Sequence, residues 1–182
     1  MSSVVISGDT SGAITLSAPA VSGTNTATLP AATGTVMVSG NMPAFAVYLG
    51  TSDQSVSNNT YTKVQFNTEV FDTANCFDST TNYRFTPNVA GYYQFNWTVT
   101  ATSASNQLRY IIPLYKNGSA YSYGAYGVPY ASVTGIGSSS AVVYMNGTTD
   151  YVEVYGFITG TTNVFTNGSN QTLFSGSLVR AA

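Results

Sequence analysis

Gly91-Tyr92-Tyr93-Gln94-Phe95-Asn96-Trp97-Thr98-Val99 alternates with a strict period of two. Tyr93, Phe95, Trp97 and Val99 fall on one face, with Gln94, Asn96 and Thr98 opposite. Successive side chains of a strand point to opposite sides, so this stretch reads as a strand laid on a core. Working outward, Leu108, Tyr110, Ile112 and Leu114 alternate with Arg109, Ile111, Pro113 and Tyr115. That run closes on Lys116-Asn117-Gly118-Ser119, where Asn-Gly supplies the positive φ angles of a tight hairpin. Asn146-Gly147 repeats the signal between Ser140–Met145 and Asp150–Ile158 and predicts a second hairpin. A last strand is expected from Thr172 to about Val179. No segment carries a helical period. About eight to ten strands with turn signals between them predict an all-β sandwich or jelly roll.

The chemistry available is narrow. Hydrophobic residues make up 43% of the 182 and aromatics 13%, enough for a core. Only 7% are charged, against about a quarter in ordinary soluble domains. Five basic residues cannot neutralise a run of phosphates, so nucleic acid is excluded as a partner. Apolar runs such as Ala141–Met145 are too short to cross a bilayer, and no membrane insertion is expected. Histidine is absent and Cys76 is the single cysteine, which removes the commonest proton carrier, the commonest zinc ligand and any intrachain disulfide. Of the carboxylates, Asp150 and Glu153 are expected on opposite faces of one hairpin strand, and Asp72 and Asp78 in Asx turns. No nucleophile elbow or phosphate loop occurs, so the protein reads as non-enzymatic. Oxygen ligands between Asp72 and Asp78 suit calcium, but no loop with regularly spaced acids is present. A structural loop is the favoured reading there, and no cofactor is expected. Cys76 has no basic neighbour in sequence to activate it. The Asn-x-Ser/Thr triplets at Asn58, Asn96, Asn117, Asn146, Asn167 and Asn170 read as turn and strand composition.

Two textures divide the chain. Residues 1–42 hold no aromatic residue, whereas residues 43–182 hold every Tyr, Phe and Trp. The turn-rich Ser39-Gly40-Asn41-Met42-Pro43 marks the expected boundary. Before it, Val4–Ile6, Ala13–Leu16, Ala27–Pro30 and Thr35–Val38 read as four short strands. A sheet that thin buries too little to offset its ordering entropy. Residues 1–42 are therefore expected to be an anchoring or oligomerisation segment ordered by other chains, through Val5, Ile14, Leu16, Leu29 and Val36. No basic residue precedes Lys63, so no secretory signal is expected and synthesis in a cytoplasm without export is inferred.

Phe66, Asp72, Phe77 and Phe85, followed by Gly91-x-Tyr93-x-Phe95-x-Trp97, resemble the signature of the C1q globular head, a relative of the tumour-necrosis-factor jelly roll. Two departures stand out: seven residues separate Phe77 from Phe85 where the family has one fewer, and Trp97 replaces the usual Phe or Tyr. The extra residue falls in the loop Asp78–Arg84, where insertion costs little. Leu173-Phe174-Ser175-Gly176-Ser177-Leu178 is similar to the family's last strand. The resemblance implies a ten-stranded jelly roll over residues 43–182 that assembles as a homotrimer and binds without chemistry. It places Phe66, Phe77, Phe85, Tyr93, Phe95, Trp97 and Phe174 in the core or trimer interface. Ser11–Pro19 and Gly23–Pro30 resemble segments of fibre and decoration proteins of tailed bacteriophages.

Tyr121, Tyr123, Tyr126 and Tyr130 stand among glycines and serines. Two readings stay open for them: a receptor or glycan surface, where rings stack on sugars, or packing against a neighbouring subunit, which is preferred. Together these readings predict a homotrimer on the surface of a phage virion, a short fibre or capsid decoration. It would be held by capsid or tail proteins and face a host-surface glycan or receptor. A secreted or cell-surface bacterial adhesin with the same head is the alternative.

Overall fold

The computed structural model describes the chain except residues 1–2, 22, 29–30, 32, 35, 105–107 and 130–132. It divides into two units, Met1–Gly34 and Thr35–Ala182. The change of texture at residue 42 thus falls inside the second unit. Met37 packs against the second unit's core, and Pro43 O accepts the backbone N–H of Leu178.

The first unit contains a hairpin of β1 (Ser3–Ser7) and β2 (Ala13–Ser17). Val4 lies opposite Leu16 and Ile6 opposite Ile14, so these four share one face while Val5 joins Thr15 on the other. The apolar stripe is therefore built on Val4 and Ile6, not on Val5. The two further strands expected near residues 27–30 and 35–38 do not form among the described residues 27–28 and 36–38. Around Val38 the backbone is committed to a turn. Val38 N–H donates to Asn41 Oδ1 and Val38 O accepts Asn41 N–H, opening a 3-10 turn at Ser39–Asn41.

The second unit is an antiparallel jelly roll of two sheets. Its strands are β3 (Ala44–Tyr48), β4 (Gln54–Val56), β5 (Thr62–Lys63), β6 (Thr68–Asp72), β7 (Phe77–Asp78), β8 (Arg84–Phe85), β9 (Gly91–Thr102), β10 (Arg109–Lys116), β11 (Ser119–Gly127), β12 (Thr134–Met145), β13 (Val152–Thr159), β14 (Asn163–Phe165) and β15 (Leu173–Ala181). That is thirteen among the described residues, above the expected ten because short segments such as β5, β7 and β8 pair separately. In the front sheet β12 pairs β9, which pairs β15 and β14; β15 continues to β3 and β6, and β14 to β4. The back sheet runs β11-β10-β13-β8-β7, with β5 added to β13.

Alternation decides what lies between the sheets. Tyr93, Phe95, Trp97 and Val99 are buried, as are Leu108, Tyr110, Ile112 and Leu114 from the facing sheet. Phe45 stacks on Phe85 at 4.4 Å and meets Phe174 edge-on at 4.9 Å, so the resemblance-bearing aromatics form one cluster. Asn117 and Gly118 take positive φ, 51° and 78°, and close the β10–β11 hairpin.

Asn146-Gly147 does not make a hairpin. The strands it joins lie in different sheets, β12 beside β9 and β13 beside β10. Asn146 Oδ1 accepts the backbone N–H groups of Thr148, Thr149 and Asp150, curling the chain out of the front sheet. Asp150 lies in this crossover and not in a strand, where it pairs with Lys116 at 2.9 Å and accepts from Asn117 at 2.8 Å. The link ties the crossover to the β10–β11 turn.

Candidate functional site

The outward face of the front sheet is nearly free of charge. Tyr144 stands beside Tyr92, Val142 beside Gln94, Ser140 beside Asn96 and Ser138 beside Thr98. Ser175 and Ser177 continue these rows on β15. Ile136, Val142, Tyr92 and Tyr144 are exposed there, the two rings 5.5 Å apart, with Arg180 at the end of the face beside Tyr92. Such a face repels nothing and leaves apolar area in water.

The outward face of the back sheet differs. β10 carries Arg109 and Tyr115, β11 carries Tyr126 opposite Ile111, and β13 carries Tyr155 and Phe157. The chain entering β5 lays Tyr61 across them, 5.1 Å from Phe157 and 6.4 Å from Tyr115. Tyr115 stacks on Tyr155 at 4.2 Å. Burial, then the nearby Glu153 carboxylate, pushes the Tyr155 phenol up to about 12. Burial also raises Tyr115. Arg109 lies over both Tyr126, at 5.6 Å, and Phe157, at 5.5 Å. Lys63 pairs with buried Glu153 at the far end.

Of the tyrosines singled out in sequence, Tyr121, Tyr123 and Tyr126 are exposed on β11, and Tyr130 lies outside the described residues. Tyr121 turns toward β12, its hydroxyl donating to Val142 O. The glycines among them do not line a surface. Gly127, Gly135 and Gly137 seat the Tyr110 ring, since a Cβ on any of them would come within about 3 Å of it. Tyr110 is buried there with its hydroxyl on Ile136 O. Phe66, Phe77, Phe85, Tyr93, Phe95, Trp97 and Phe174 all lie inside the sandwich. Val5, Ile14, Leu16 and Val36 are exposed, and Leu29 lies outside the described residues. Sequence reasoning passed over Tyr61, Arg109, Tyr115, Tyr155 and Phe157. The signal was present: Arg109 and Tyr115 sit at the outward positions of a strand already read as alternating.

The acidic groups are used structurally. Asp78 accepts the backbone N–H groups of Thr80, Thr81 and Asn82, which holds its carboxyl well below the ordinary value. Asp72 accepts from Ala74 and Phe77, making the loop Asp72–Asp78 a chain of Asx turns. Burial pushes the Cys76 thiol up, away from the reactive thiolate. Among the described residues no three His, Cys, Asp or Glu side chains converge as a metal site, and no helix is long and apolar enough to cross a membrane.

The fold has known counterparts. The globular domain of zebrafish complement 1qA matches with a TM-score of 0.56 at 21% identity, covering 77% of this chain and 98% of that one. Eiger TNF from S. frugiperda matches at 0.58 and 9% identity, covering 78% and 95%. PRD1 vertex protein P5 matches at 0.50 and 11%, covering 76% and 97%. The comparison with curated protein sequences found no match. C1q/TNF-like domains are typically non-enzymatic binding or structural modules and typically form homotrimers. The C1q domain model matches residues 44–179, the span of the jelly roll, and the chain belongs to the C1q domain family.

Proposed function

We propose that this protein is a homotrimeric, non-enzymatic structural protein of a tailed-bacteriophage virion surface, a short fibre or capsid decoration. Its jelly roll faces outward as a binding head for a host-surface glycan or receptor, and its first unit engages capsid or tail proteins. The observation that carries the assembly is the front-sheet face, nearly free of charge apart from Arg180 at its end. Rows of Ser, Asn, Gln and Tyr with exposed Ile136 and Val142 can be buried against identical faces without stranding an ion. Tyrosine suits such a seam because it brings apolar area with a polar tip. The virion setting is supported by the phage-like composition of Ser11–Pro30 and the apolar hairpin of the first unit. The PRD1 vertex protein adds the same fold at a particle vertex. Light scattering at micromolar concentration is expected to give three times the 19.1 kDa chain mass. A monomer would overturn the assembly. Electron microscopy of labelled virions is expected to place the protein on the particle exterior, and label absent from virions would overturn the setting.

A further inference from the structure

The back-sheet platform holds a cation that has no carboxylate partner among the described residues. Of the five basic side chains, Lys63 is paired with Glu153 and Lys116 with Asp150. Arg109 has no carboxylate partner among the described residues, and its guanidinium rests instead over the Tyr126 and Phe157 rings. Ring contacts leave the N–H edge of the guanidinium free to donate. Tyr126 beside it is 61% exposed, Tyr123 farther along β11 toward Tyr115 is 67% exposed, and Tyr61 is 38% exposed. A surface built mainly of Ser, Thr and Asn has no need of these rings for solubility, and the core does not use them.

We infer that this platform binds an anionic glycan, with the carboxylate of an acidic pyranose on Arg109 and sugar rings laid on the adjoining tyrosines. A planar guanidinium matches a carboxylate two-pronged, and its charge strengthens both hydrogen bonds. The C–H faces of pyranoses are apolar and flat, as tyrosine rings are, while phenol hydroxyls reach the sugar hydroxyls. Other occupants fit less well. A second copy packed face to face would bring two Arg109 charges together with no acid between them. An extended peptide could pair only along β11, the edge of this sheet, and not over Arg109, because β10 is paired on both edges, to β11 and β13. This inference deepens the glycan-attachment part of the proposed function.

Calorimetric titration of the full chain with an oligoglucuronate hexasaccharide, a neutral glucose hexasaccharide and a short polyglutamate tests it. Oligoglucuronate is expected to bind, more weakly as salt rises. Arg109→Gln should weaken that binding about ten-fold or more, because the charged hydrogen bonds go. Arg109→Lys should fall between the two, keeping charge but losing the fork. Tyr123→Ser, at an exposed site that leaves the core intact, should weaken it too. No binding of oligoglucuronate, equal binding of the neutral sugar, tighter binding of polyglutamate, or an unchanged Arg109→Gln variant would each overturn the site. Light scattering on the same samples keeps two failures apart. A trimer that ignores the sugar removes only the glycan site, and a monomer that binds it removes only the assembly.

Discussion

Trp97 shows how much rests on one side chain. Its ring is buried between the sheets and its Nε1–H donates to Ile112 O at 3.0 Å, bridging them. Trp97→Ala removes the ring and its hydrogen bond to Ile112 O, and should cost about 3–5 kcal/mol. Urea denaturation checks this, and an unchanged midpoint would mean the ring does not support the sandwich. Charge behaves as simply. With no histidine, no ordinary side chain titrates between about pH 5 and 8, and stability should be flat there. Asp78 and Asp150 are held below their unfolded value of 3.8, Asp78 chiefly by the Thr81 N–H and Asp150 by the Asn117 amide. A depressed carboxyl stabilises the fold above its unfolded value, and that contribution is lost as pH falls through the folded one. Unfolding midpoints should therefore drop below about pH 4, and Asp78→Asn should make the drop shallower. An equally steep drop in that variant would assign acid sensitivity elsewhere.

At the scale of elements, the crossover 146–151 is the feature that turns two sheets into one sandwich. Asn146 holds three backbone N–H groups, and Asp150 below it fastens Lys116 and Asn117. Gly147 is needed as glycine: its φ is 73°, and a Cβ there would approach Ala90 N within 2.4 Å. Asn146→Ala should destabilise the head by about 1–2 kcal/mol, the usual cost of losing a side chain that caps several donors. Thermal denaturation reads the loss, and a Tm within error of the parent would show the crossover to be held by other contacts. The seat of Tyr110 is as tight. Gly137→Ala would place a methyl 2.8 Å from the Ile112 side chain and 3.0 Å from Tyr110, an overpacking expected to cost about 1–3 kcal/mol.

At the scale of the whole molecule, the two units predict separable behaviour. Unit 35–182 contains the whole described core, whereas the β1–β2 hairpin exposes Val4, Ile6, Ile14 and Leu16. A lone two-stranded ribbon is marginal in water, and on the proposed virion reading capsid or tail proteins would supply what it lacks. Deleting residues 1–34 should leave a folded head with the parent's unfolding midpoint and oligomeric mass. That head should no longer join particles. Normal occupancy of the truncated protein in virions would make the first unit a spacer, not an anchor.

Local order was legible in the residues themselves. Period-two alternation in Tyr93–Val99 and Leu108–Leu114 determined which side chains are buried, because a strand's geometry ties every second residue to one face. Asn117-Gly118 was legible as a hairpin because both residues readily take the positive φ that its tight turn uses. Asn146-Gly147 carries the same letters yet joins two sheets, since strand pairing is a matter of what else competes for each edge, and β9 won β12 along its whole length. The glycines near Tyr121 were legible as small, but not as the seat of a ring about twenty residues away in sequence. The platform around Arg109 drew on three paired strands and the chain leading into a fourth. Its rings were visible one by one in the sequence. Their convergence on one cation was decided only when the tertiary fold brought residues 61, 109, 126 and 157 to one face.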